Sequence, residues 1–68
     1  MSASEVIVIA KKFLQDEAEF DRVRISSVVG VEAESQWKVV AVVGQPVIGK
    51  KEMIIDDEDG KIVSYKEA

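Results

Sequence analysis

The sequence predicts an α+β domain, with one N-terminal helix packed on a curved antiparallel meander sheet of three to four strands. Three observations predict it. Val6, Ile9, Ala10, Phe13 and Leu14 recur at the spacing of one helical face. The stretch VVGVEAESQWKVVAVVG, residues 28–44, holds two apolar runs folded about Glu34-Ser35-Gln36. Asp57-Glu58-Asp59-Gly60 then marks a second hairpin, because Asp-Gly suits positive φ.

The helix is expected from Ser2 to Asp16 or slightly beyond. Ser2 and Glu5 have capping-box spacing, with Ser4 as the alternative N-cap. The β-branched residues between Val6 and Ile9 weaken helix propensity, so a short strand is the alternative there. Phe20 is expected to close the helix end against the sheet. Val23 to Glu34 alternates as the first strand, with Val29, Val31 and Ala33 on one face and Glu32 and Glu34 on the other. Ile25 to Ser27 reads alternatively as lead-in loop. Gly30 inside the strand implies a bulge or a close backbone approach.

Trp37 to Val43 is the most apolar strand. Trp37, Val39, Ala41 and Val43 share one face, and Lys38, Val40 and Val42 share the other. A half-exposed strand is polar on its open side, and this one is polar there only at Lys38. It is therefore expected to be central, and its second face is either covered by another chain or carries Val40 and Val42 as scattered surface valines. Gln45 to Gly49 connects onward through Pro46, which cannot donate to a ladder, and Gly49. Lys51 to Asp56 is the third strand, with Met53 and Ile55 inward and Ile54 outward. Lys61 to Tyr65 is the last, an edge strand packing through Ile62, Val63 and Tyr65 and protected by Lys61 and Lys66. The expected core is Ile9, Phe13, Leu14, Val29, Val31, Trp37, Val39, Ala41, Met53, Ile55 and Val63.

Sixty-eight residues make a single domain, 1–68. A chain this short buries only ~60% of the surface that its unfolded form exposes, so help from a partner chain is expected. Cysteine and histidine are both absent. That excludes disulfides, thiolate and imidazole metal sites, and every catalytic triad built on His or Cys. The net charge of −4 disfavours nucleic acid and anionic membrane surfaces. No apolar run approaches the ~20 residues of a membrane span. MSASEVIVIA has no basic residue before its apolar part, so it is a poor secretion signal and a cytoplasmic setting is expected.

Two motifs resemble ligand sites. Gly44 to Lys51 fits GxxxxGK, but Lys51 stands where a phosphate loop needs Ser or Thr, and a strand follows instead of a helix. Asp56 to Gly60 resembles a calcium loop, but counting from Gly60 places Ile55 and Lys66 at ligand positions. Paired carboxylates such as Glu17 and Glu19, or Glu32 and Glu34, do acid–base work only in a shaped cleft, and the polar face of a strand explains Glu32 and Glu34 without one. No catalytic, cofactor-binding or metal-binding residue is therefore assigned, and no enzyme activity is expected. Trp37, Val40, Val42, Ile54 and Tyr65 are the candidate protein-interaction residues, since aromatic anchors and exposed apolar faces dominate interfaces.

Gly30-Val31-Glu32, Trp37-Lys38-Val39, Asp57-x-Asp59-Gly60 and Tyr65-Lys66 together resemble the gas vesicle protein O family. The match covers about the last two-thirds of the chain. The loop at Gln45 to Gly49 is shorter than the family's, and its charged N-terminal extension is missing. The resemblance implies an accessory protein of gas vesicle assembly that acts through protein contacts. The helix–strand–strand–strand order, with Asp57 to Gly60, also resembles the PepSY domain, which implies a small regulatory or inhibitory module. A small-ligand or calcium-binding module is the alternative of another class. The partner is expected to be a protein, or a second copy of the chain, held through the open sheet face.

Overall fold

The structure is a computed structural model in which residues 1–44 and 48–68 are described. The expected connection at Gln45, Pro46 and Val47 lies outside the described residues. One N-terminal helical segment packs on a four-stranded antiparallel meander, β1-β2-β3-β4.

Helix α1 spans Ala3–Lys12. Ser2 is its N-cap, and the reciprocal box is complete: Glu5 N–H donates to Ser2 Oγ at 3.3 Å, and Ser2 N–H donates to Glu5 Oε1 at 2.9 Å. Its C-terminus widens into a π-helical turn, Phe13–Glu17. Ala18 N–H there reaches back to the Phe13 carbonyl, and Phe20 N–H to that of Leu14. The wide turn closes at Glu19, which adopts a left-handed φ of 60°. Phe20, as expected, then packs against the core. The apolar stripe does what its spacing predicts: Val6, Ala10 and Leu14 are fully buried, with Ile9 and Phe13 beside them.

The strands are β1 (Arg22–Val31), β2 (Gln36–Gly44), β3 (Gly49–Asp56) and β4 (Ile62–Glu67). As expected, β2 is interior and β4 is an edge. Ile25 to Ser27 belongs to β1 and is not lead-in loop. Val39, Ala41, Val43, Met53 and Ile55 complete the buried core under the helix, and Trp37, Ile62, Val23, Ile25 and Val28 pack around them.

Three expected core residues are placed otherwise. Val29 is 53% exposed, Val63 is 53% exposed, and Val31 lies outside the core cluster. The cause at β1 is one extra residue. Ile25 pairs with Ala41 and Ser27 with Val40, so Ser26 bulges out and the alternation reverses beyond it. Val28 turns inward and Val29 outward. A like irregularity at β4, where Ile62 pairs with Ile55 and Ser64 with Ile54, ejects Val63. The bulge therefore falls at Ser26 and not at Gly30. Gly30 instead lies beneath the Trp37 ring, where an added Cβ would stand 3.6 Å from Trp37 Cζ3. β1 also ends earlier than expected. Glu32–Glu34 form a 3-10 turn, and Ser35 closes it at φ 51°, so Glu32, Ala33 and Glu34 leave the ladder.

The second hairpin turn has the expected chemistry. Gly60 adopts φ 73° and sits under the helix N-terminus, where an added Cβ would stand 3.0 Å from Ile9 Cδ1. Asp56 Oδ1 accepts from Glu58 N–H, and Asp59 Oδ1 accepts from Lys61 N–H.

Two stability outcomes follow from these placements. Leu14 is fully buried in a domain whose whole stability is ~3–10 kcal/mol by size. Leu14→Ala should cost ~3 kcal/mol in urea unfolding. A loss below ~1 kcal/mol would mean that the helix is not seated on the sheet as described. Conversely, Glu19→Gly should raise stability by ~0.5–1 kcal/mol, because Gly adopts the left-handed position at a helix end without steric cost.

Candidate functional site

Strand alternation sorts the side chains onto two faces. The helix covers the face carrying Trp37, Val39, Ala41, Val43, Met53 and Ile55. The other face has no element over it among the described residues. Cross-strand register sets its rows. Val29, Lys38, Ile54 and Ser64 form one row. Ser27, Val40, Glu52 and Lys66 form the next, and Arg24, Val42 and Lys50 the third. Arg22 and Gly44 close that end, while Val31, Gln36 and Asp56 close the other. Val29, Val40, Val42 and Ile54 thus lie close together on three strands.

An ion network crosses this apolar strip. Lys38 Nζ lies 2.8 Å from Glu52 Oε1, and Lys66 Nζ lies 3.6 Å from Glu52 Oε2. The Glu52 side chain is only 15% exposed. Its carboxyl is held below the usual carboxylate range, first by the Lys38 hydrogen bond and then by the charges of Lys38 and Lys66, against a burial effect in the other direction. At the far end, Arg22, Arg24 and Lys50 make no ion pair among the described residues.

The five residues singled out from sequence do not form one surface. Val40, Val42 and Ile54 share the open face. Trp37 and Tyr65 lie on the helix side, where the Tyr65 ring meets Phe13 edge-on at 5.1 Å between centroids. Trp37 Nε1–H donates to Asp57 Oδ1 at 2.6 Å, and the Met1 amino group lies 3.4 Å from the same oxygen. Asp57 N–H also donates to the Ser35 carbonyl at 2.9 Å. Trp37 therefore ties the two hairpin turns together. Its hydrogen bond is the main cause of the lowered pKa of Asp57. An open groove of about 280 Å³ beside the indole is lined by these same residues, with Gly30 and Glu32.

The ligand-like motifs have structural placements. Gly49, Lys50 and Lys51 lie in β3, so no helix follows the GxxxxGK stretch, whose residues 45–47 are outside the described part. In the acidic turn, Asp56, Asp57 and Asp59 each turn an oxygen toward an N–H of the fold. Among the described residues, no group of three or more carboxylates is arranged to hold a metal ion. No described helix is long and apolar enough to cross a membrane.

Arg22, Arg24, Val29 and Lys50 belong to the open face but were not singled out from sequence. The signal for Arg24 and Lys50 was a basic residue in phase with Val42 on a neighbouring strand, and that phase depends on the Ser26 bulge. The chain matches no family model, no curated protein and no solved structure.

The Glu52 network gives a signed pH dependence. A carboxyl with a lowered folded-state pKa adds stability above its unfolded value of about 4.3, and that stability is lost as pH falls through the folded value. Glu52→Gln should therefore lower stability at pH 7, and the gap to wild type in urea unfolding should be narrower at a pH below the unfolded value of about 4.3. A gap unchanged between the two pH values would contradict the network.

Proposed function

We propose that this protein is a non-enzymatic interaction domain that docks a partner protein on the open face of its sheet. The observation that carries this reading is an apolar strip on the sheet face away from the helix, made of the exposed Val29 and the half-buried Val40, Val42 and Ile54. Two-layer packing buries one face of a four-stranded sheet, and selection for solubility alone would place polar residues on the other. The residue chemistry supports the same reading. The chain has no His or Cys, and its many carboxylates sit on helix ends, turns and strand surfaces rather than in an enclosed cleft. In the setting that the sequence resemblance implies, the partner belongs to gas vesicle assembly.

The test uses the double variant Val42→Lys and Ile54→Lys. Both side chains are only half-buried on the open face, so unfolding stability should change by less than ~1 kcal/mol. Co-sedimentation with purified gas vesicle shell and accessory proteins should be lost. Unfolding of the variant would instead make these residues part of the fold. Retained co-sedimentation would remove the docking role of the face. Concentration-dependent self-association of the wild type, split by the same variant, would replace the partner protein with a second copy.

A further inference from the structure

The open face has a sign opposite to that of the protein. Arg22, Arg24, Lys38, Lys50 and Lys66 face Glu52 and Asp56 there, five cations against two carboxylates. The rest of the chain carries four cations against eleven carboxylates. The separation is sharpest at one end. Arg24, Val42 and Lys50 lie in one row across three strands, and neither cation has an ionic partner among the described residues. Beside them the Ser26 bulge opens a groove of about 350 Å³, lined by Arg24, Ile25, Ser26, Val42 and Lys50.

We propose that the open face receives an acidic amphipathic helix from a partner protein. Its apolar stripe would lie on Val40, Val42 and Ile54, and its flanking carboxylates would meet Arg24 and Lys50. This rests on the docking role proposed above and adds the chemistry of the occupant. The size of the face fits a single helix. Four strands about 4.8 Å apart span about 14 Å, and the nine residues of β2 extend about 30 Å. A helix is about 10 Å across, and about 20 residues of it run 30 Å. Charge sets the sign of its flanks, because opposite potentials across an interface steer encounter and exclude wrong partners.

Three other occupants fit less well. A second copy would set the same cationic excess against itself. Single-stranded nucleic acid needs rings for base stacking, and Phe13, Phe20, Trp37 and Tyr65 all lie on the helix side. An anionic membrane would face apolar side chains without an aromatic anchor, under a body of strong negative charge.

The test uses a labelled model helix with Leu at positions i, i+3, i+4 and i+7 and Glu on the flanks, and a counterpart with Lys on the flanks. Fluorescence anisotropy should give at least tenfold tighter binding of the acidic peptide. Its affinity should fall between 50 and 300 mM salt. The variant Arg24→Glu with Lys50→Glu, checked for folding by circular dichroism, should reverse the preference. Equal binding of both peptides, lost in the Val42→Lys and Ile54→Lys variant, would overturn the acidic occupant and leave the docking face standing. Binding of the acidic peptide that survives that variant would remove the docking face itself. No binding of either peptide, or tighter binding of oligo-dT or phosphatidylserine vesicles, would overturn this inference.

Discussion

A single helix can cover only one face of a sheet, and most of this structure follows from that constraint. The helical stripe of Val6, Ala10 and Leu14 is narrow and wholly buried. It seals Val39, Ala41, Val43, Met53 and Ile55 from water. The β2 side chains of opposite phase, Val40 and Val42, are then covered only in part, by their neighbours on the sheet. Hydrophobic burial is roughly proportional to area removed from water. Under the proposed reading, the part of this strip left exposed is the area a partner would bury, on a platform that the sheet's hydrogen bonds hold in place.

Aromatic residues fix the end of the sheet where the two hairpin turns meet. Trp37 covers Gly30 on the neighbouring strand and reaches Asp57 in the second turn. Asp57 also holds the Ser35 carbonyl and lies near the Met1 amino group. One residue thereby links β2, both turns and the chain start, its carboxylate meeting Trp37 and Met1 and its backbone N–H the Ser35 carbonyl. Gly60 completes the corner, since its bare Cα lets the turn approach Ile9. This arrangement accounts for the aromatic residue that looked most like an interface anchor. A large ring in a small domain serves the fold first.

Both edge strands carry one extra residue, Ser26 in β1 and Val63 in β4. Bulges twist an edge and interrupt its ladder, which hinders pairing with another chain's strand. The edges are thus guarded while the face is open. Under the proposed reading, association is directed to side chains on the face, where charge can select the partner. Lys38, Glu52 and Lys66 divide the strip, so its apolar parts are interrupted by a fixed ionic crossing. Such a surface is less adhesive than a continuous valine patch and more selective.

The features determined by sequence alone are local ones. The Ser2–Glu5 box, the stripe from Val6 to Leu14, the Asp-Gly turn and the strand order each depend on residues a few positions apart. Their physics is complete within one turn of helix or one hairpin. The outward phase of Val40, Val42 and Ile54 was legible for the same reason, because alternation holds along an unbroken strand. Tertiary structure decided what crosses between strands. Ser26 offers no compositional signal of a bulge, yet it moves Val29 out, brings Val28 in and sets Arg24 in the row of Val42 and Lys50. Val63 leaves the core by the same means. Register is a non-local quantity with a period of two, so one inserted residue reverses every face beyond it. The apolar half of the candidate surface was therefore written in β2 and β3, while its charge was assembled only when three strands aligned.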